Sequence, residues 1–184
     1  MKYKKLWTDM HSNIHHDQME ALPLWYEQIK KEMDFWPIAY YPFYMRPTSS
    51  GLAVEDRYED ELIEKDWEQV RQLALQAEKE GFPMFMGYEW QGAGLDGDHN
   101  VFFLENGEKQ EHPMRYQELV EAYKGKPVIG IPHHVAYQLG SRGKNWETHD
   151  EKFSPFAEIY SSHGCSENDD GPLMMNRHVH MGPR

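Results

Sequence analysis

Residues 6–16 read Leu-Trp-Thr-Asp-Met-His-Ser-Asn-Ile-His-His, and this stretch contains the first candidate metal ligands of the chain. A short apolar run from Tyr3 to Trp7 ends in an acid, and three histidines follow within six residues. Barrels and open α/β sheets carry their chemistry at the carboxyl ends of their strands. An apolar strand followed by histidines is therefore typical of a metal site in one of these two architectures.

The length and charge of the chain limit its domain number and the kinds of partner it can bind. It has 184 residues and a net charge of -12, from 31 acidic and 19 basic side chains. The length fits one domain over 1–184. The charge argues against a nucleic acid or an anionic membrane as a partner, although bound metal would still permit phosphate substrates. With one cysteine, no signal-peptide core and no membrane-length apolar run, we expect a cytoplasmic protein.

Strand-like and helix-like patterns alternate along the chain. Strands are predicted over residues 3–8, 34–43, 82–88, 99–104, 127–131 and 156–160, and helices over 17–32, 57–80 and 114–124. Loops are predicted at 46–56 and 140–152, and 168–184 is a polar tail. This alternation predicts an α/β fold with a largely parallel sheet.

Metal-ligand residues recur at the ends of the predicted strands. Four strands end in or lead directly into such residues, and a fifth begins with one; they are His11, Glu89, His133 with His134, His163, and His99. Imidazole and carboxylate together suit zinc, manganese or iron. The pattern therefore predicts a transition-metal site.

Alternatives remain open for single residues of this set. A buried Glu89 could be neutralised by an arginine in place of a metal. Neighbouring residues of a continuing strand point in opposite directions, so one of His133 and His134 is favoured as a ligand over both. His163 could be an ordinary polar loop residue.

Five short motifs together resemble a known family. They are W-T-D-M-H-S-N at 7–13, G-Y-E-W at 87–90, D-H-N-V-F-F at 98–103, I-P-H-H-V-A-Y at 131–137 and E-I-Y-S-S-H-G-C-S-E at 158–167. In this order they resemble the polymerase and histidinol phosphatase (PHP) family, and within it the DUF3604 proteins. The resemblance covers most of the chain.

This resemblance implies a fold and a ligand set. The family fold is a distorted (β/α)7 TIM-like barrel with two or three metals, and its members are mostly phosphoesterases. By similarity, His11 matches the first histidine of the family's H-x-H, Glu89 the bridging carboxylate, His99 the next histidine, and His133 or His134 a later strand-end histidine.

The chain also departs from the family pattern. Asn13 replaces the second histidine of H-x-H, Tyr40 and Tyr41 replace an Asp-His pair, and the final D-x-H has no counterpart. We therefore expect a barrel that is incomplete at its C-terminal end and a site that holds one to three divalent ions.

The resulting hypothesis is a metal-dependent hydrolase, foremost a phosphoesterase that uses a metal-activated water on a small phosphorylated molecule. His11, Glu89, His99, His133 and His134 would bind metal, and His163 and Tyr40 would orient the substrate or protonate the leaving group. The alternative is a non-catalytic metal- or ligand-binding scaffold of the same fold. A hydrolase that uses Asp9 and Glu89 as paired carboxylates is a weaker alternative, because it leaves the histidines unexplained.

Overall fold

The computed structural model describes residues 3–51, 53–92, 94–137, 139–140, 142–161 and 163–167. The predicted tail, 168–184, lies outside the described residues. The chain divides into two compact units, Met1–Tyr88 and Glu89–Arg184. In the described part of the chain, no helix is both long and apolar enough to cross a membrane.

The described part of the first unit contains two α-helices and five complete strands. Its elements are β1 (Ser12–His15), a 3-10 helix (His16–Ala21), α1 (Leu22–Glu32), β2 (Trp36–Tyr41), β3 (Phe43–Pro47), β4 (Ala53–Arg57), α2 (Asp60–Glu80), β5 (Met84–Phe85) and the start of β6 (Gly87–Gln91). β2 lies in parallel register with β1, β5 and β6, whereas β3 and β4 form an antiparallel pair.

The two long helices end where the sequence predicts, at residues 32 and 80, but they begin later than the predicted residues 17 and 57. A 3-10 helix precedes α1. Pro23 lies in the first turn of α1, where its missing N–H costs no hydrogen bond. One face of α2 is buried, and the helix ends at Gly81, whose φ of 73° is left-handed and favours glycine. The N–H of Phe82 then donates to the carbonyl of Ala77, which closes the last turn.

The described part of the second unit contains the end of β6 and two antiparallel strand pairs. Its further elements are β7 (Asp98–Phe103), α3 (Tyr116–Ala122), β8 (Val128–His133), a 3-10 helix (Trp146–Thr148), β9 (Tyr160–Ser161) and β10 (Gly164–Cys165). β7 lies between β6 and β8 in the sheet. The register of β7 and β8 runs from Asp98 opposite His133 to Phe103 opposite Val128.

The predicted (β/α)7 TIM-like barrel is wrong. The described residues contain three α-helices and both parallel and antiparallel strand pairs, and their strands form no closed barrel. In a (β/α) barrel each strand runs parallel to the next, with a helix between them. Here β8 returns antiparallel to β7, and 46–56, predicted as a loop, lies largely in the β3–β4 pair. The broader α/β prediction holds only as a mixed fold.

The first predicted strand, 3–8, is also wrong. Residues 3–9 have no regular structure, and Trp7 is 70% exposed. The N–H of Trp7 donates to the carboxylate of Asp34 at 2.9 Å, and the hydroxyl of Thr8 donates to the carbonyl of Phe35. These bonds attach the run to the chain before β2 without a strand ladder. As a result, His11 precedes the first strand and does not follow it.

Candidate metal centre

A buried group of acid and imidazole side chains lies on one face of the second unit's strands. Glu89 lies within β6, Asp98 is the first residue of β7, and His133 is the last residue of β8. Asp98 and His133 are Cα partners, so their side chains share a face of the sheet. The Nε2 atom of His133 lies 3.7 Å from Oε1 of Glu89, and all three side chains are buried.

His134 joins the same group because the strand ends one residue before it. Its φ of 53° is left-handed, a conformation that is uncommon outside glycine and recurs at functional sites. Its ring centroid lies 4.5 Å from that of His133. The prediction that only one of the two histidines would face the site assumed a continuing strand, and β8 stops at His133. Ligand atoms of Asp98, His133 and His134 all lie within 4.8 Å of one another.

Burial favours the neutral form of the His134 imidazole. It lowers the pKa of His134 to about 2, with further lowering from His133 and His163. Nη1 of Arg142 donates to Oδ2 of Asp98 at 3.1 Å and so places a positive charge beside this carboxylate. Neutral imidazole and ionised carboxylate are the forms that bind metal ions.

Asn100 adds a buried polar oxygen on the same face. It is two residues from Asp98 on β7, so strand alternation directs both side chains to the same side. Asn100 is 1% exposed, and its Oδ1 atom has no hydrogen-bond partner within the described ranges. A buried carbonyl oxygen is costly without a donor or a cation. The oxygen therefore suits a site that holds an ion or its water.

The predicted catalytic residue His163 lies next to this group. Its ring centroid is 4.1 Å from that of His134. Its Nδ1 atom lies 2.7 Å from the hydroxyl of Tyr137, which is itself buried. The N–H of Tyr137 donates to the carbonyl of His134, so the turn after β8 carries the tyrosine to the histidine pair.

His99 lies on the opposite face of β7, away from the group. Its neighbours are aromatic: the ring stacks on Tyr116 at 4.8 Å and meets Trp90 edge-on at 5.5 Å. Burial holds the pKa of His99 well below its usual value, and its Nδ1 atom lies 3.3 Å from the carbonyl of Gly97. Because Asp98 faces the site, strand alternation directs the next residue away from it.

The other two predicted site residues belong to the first unit. Tyr40 is fully buried in β2, and its hydroxyl donates to Asp66 at 2.8 Å, beside the contact between Asp66 and His16. Burial and then Asp66 raise the pKa of Tyr40, so this hydroxyl is a core hydrogen-bond donor. His11 is half-buried and its N–H donates to Asp9 at 2.8 Å. Its role as a metal ligand stays a prediction.

The sequence prediction missed four residues of the centre: Asp98, Asn100, Tyr137 and Arg142. Asp98 stands within the motif D-H-N-V-F-F, but only the register with β8 reveals that it, and not His99, faces His133. Tyr137 likewise stands within I-P-H-H-V-A-Y. Arg142 lies in a predicted polar loop and carries no signal in the sequence.

The donors that the structure brings together are two imidazoles and one carboxylate, with a second carboxylate beside His133. This combination suits zinc, manganese or iron in preference to calcium. Comparisons with protein-family models, with curated proteins and with solved structures found no match to this chain.

Proposed function

We propose that the second unit binds a divalent transition metal through Asp98, His133 and His134, with Glu89 beside them. We propose further that the protein is a metal-dependent hydrolase of phosphoric esters. The proposal rests on one observation: the ligand atoms of Asp98, His133 and His134 are buried and lie within 4.8 Å of one another. Because three protein ligands leave coordination positions for water and substrate, the ligand count suits a catalytic site better than a closed structural one.

Burial of the group is the argument for an ion. Asp98, Glu89, His133 and His134 are each at most 5% exposed. Placing two carboxylates and two imidazoles together inside a protein is costly unless a cation offsets their charge and lone pairs. Arg142 supplies part of that charge at Asp98, and a divalent ion would supply the rest.

The argument for a phosphoric ester comes from the same arginine. A bound metal of this type lowers the pKa of a coordinated water and polarises a phosphoryl oxygen. The guanidinium of Arg142 lies beside Asp98 and is about one-third exposed. Its planar set of N–H donors matches two oxygens of a phosphoryl group, so it would orient an anionic substrate at the ion. The family resemblance seen in the sequence agrees with this substrate class but stays a prediction.

The proposal is tested by metal content and by chelation. Purified protein is analysed for bound zinc, manganese and iron, and is then assayed on a panel of phosphomonoesters and phosphodiesters before and after chelation. We expect close to one ion for this group and activity that chelation removes and added metal restores.

Two variants sharpen this test. Asp98→Asn should weaken metal binding and lower activity, whereas His112→Ala removes a histidine of the same unit outside the group and should change neither. Protein that binds no transition metal would contradict the whole proposal. Tight metal binding without turnover of any ester would overturn the hydrolase and support the non-catalytic metal-binding alternative.

A further inference from the structure

Tyr137 makes a well-formed side-chain hydrogen bond at the edge of the candidate metal centre. Its hydroxyl lies 2.7 Å from Nδ1 of His163, and the tyrosine is buried. Among the described residues, this nitrogen is the hydroxyl's hydrogen-bond partner. The contact therefore bears on which ring nitrogen of His163 carries hydrogen.

The direction of this bond follows from the donors and acceptors available. A tyrosine hydroxyl keeps its proton at neutral pH, and a buried hydroxyl proton without an acceptor costs about 1–3 kcal/mol. The cost is avoided when Nδ1 of His163 accepts. A neutral imidazole with an accepting Nδ1 carries its hydrogen on Nε2.

The placement of His163 suits a donor better than a ligand. Its ring lies 4.1 Å from that of His134, but His163 is not a member of the group whose ligand atoms converge within 4.8 Å. An N–H at this distance from the ligands can reach an oxygen that is itself bound to the ion.

We propose that Tyr137 is a positioning residue that fixes His163 in the Nε2–H tautomer, so that His163 donates to an oxyanion bound at the metal. The oxyanion class is a phosphoryl oxygen of substrate or product, and the role rests on the proposed function. Donors fixed in advance where negative charge develops are an effective form of transition-state stabilisation.

The tautomer is measured first, because it does not depend on activity. Two-bond proton–nitrogen correlation spectra of zinc-loaded protein, and of metal-free protein if no zinc binds, report which ring nitrogen of His163 carries hydrogen. We expect Nε2–H in the wild type and a mixture of tautomers in Tyr137→Phe. A wild-type His163 with hydrogen on Nδ1 overturns the proposal, whether or not the protein is a hydrolase.

Kinetics then test the positioning role. Tyr137→Phe should lower kcat by about tenfold, in keeping with one hydrogen bond used in the transition state, and should leave metal affinity and KM within about twofold. His163→Gln, which keeps an N–H donor near the Nε2 position, should retain more activity than His163→Ala. The matched control is Tyr160→Phe, at a 60% exposed tyrosine of the same unit.

Equal kcat values for Tyr137→Phe and the wild type would overturn the positioning role even if metal binding and hydrolysis are both found. Loss of metal binding in Tyr137→Phe would also overturn it, because the tyrosine would then support the ligands themselves. If no ester is hydrolysed, the proposed function fails separately, and the tautomer measurement still decides whether Tyr137 fixes His163.

Discussion

The ammonium nitrogen of Lys144 lies 3.5 Å from the centre of the Tyr116 ring. Lys144 is only 4% exposed, and its Nζ atom has no hydrogen-bond partner in the described part of the chain. Burial lowers the pKa of Lys144 to about 8, and the charge of Asp96 opposes this in part. The aromatic face and the charge of Asp96 thus support a charge that burial disfavours.

This arrangement predicts an unusual dependence of stability on pH. Below pH 8 the lysine is charged in both the folded and the unfolded chain, and the full cost of burying it is present. Between pH 8 and about 10.5 the unfolded chain binds more protons, so the contribution of Lys144 to the free energy of unfolding rises with pH. The total gain is on the order of 3 kcal/mol.

Urea unfolding of wild type and Lys144→Met between pH 7 and pH 10 measures the effect. The variant keeps the apolar stem and loses the charge, so it should be more stable than the wild type at pH 7 and lose this advantage as pH rises. The control is Lys124→Met, at a lysine whose side chain is 72% exposed. If the free energy of unfolding changes with pH in the same way for wild type and Lys144→Met, the prediction is wrong.

The two faces of the β7–β8 pair predict different effects of two histidine substitutions on metal affinity. His133→Ala should weaken zinc binding by at least about 100-fold, because loss of a direct ligand exceeds the 10–100-fold cost of losing a supporting residue. His99→Phe keeps the stacking on Tyr116 and should leave the dissociation constant within about threefold. Isothermal titration of both variants checks this, and near-equal losses would place His99 at the ion.

Substitutions at Arg142 should weaken substrate binding without weakening metal binding. Arg142→Met removes the guanidinium that competes with the ion for Oδ2 of Asp98, so metal affinity should stay equal or increase. KM for a phosphomonoester should rise about tenfold or more, as expected when a charged hydrogen bond to phosphate is lost. Arg142→Lys, which keeps the charge but not the planar donor pair, should lie between. Unchanged KM in both variants would show that the substrate does not contact this arginine.

Gly130 in β8 should tolerate no side chain. A Cβ atom there would lie 2.3 Å from Cε1 of Phe153, and the N–H of Gly130 donates to the carbonyl of Phe153 at 2.8 Å, so neither can move easily. Gly130→Ala should lower the free energy of unfolding by about 1–3 kcal/mol through overpacking.

A double-mutant cycle with Phe153→Leu tests this cause. The smaller leucine should recover much of the loss, giving a coupling free energy of about 1 kcal/mol or more in guanidinium unfolding. Additive losses would mean that the alanine acts through the backbone and not through contact with the Phe153 ring.

Local features of the fold were predictable because local sequence determines them. The buried face of α2 follows from the spacing of Ile63, Trp67 and Val70, and its end follows from Gly81. The ends of β8 were also placed to within two residues. These predictions needed only helix periodicity, turn residues and apolar runs.

Strand direction was not predictable, because it depends on partners far along the chain. The sequence contains a helix between β7 and β8, as a parallel crossover does, and yet the pair is antiparallel. The register places Asp98 at the site, where the sequence predicted His99. The left-handed backbone of His134, which ends the strand, also has no signal in the sequence. Arg142 could be found only once its loop was placed.

The alignment of β7 with β8 has a consequence for folding. A slip of one residue would turn Asp98 toward the rings of Trp90 and Tyr116 and bring His99 to the face of His133. An ion bound by Asp98 and His133 would then stabilise the native alignment by mass action and not the slipped one. A bound metal would thereby favour the native register of the two strands over the slipped one, even in the absence of substrate.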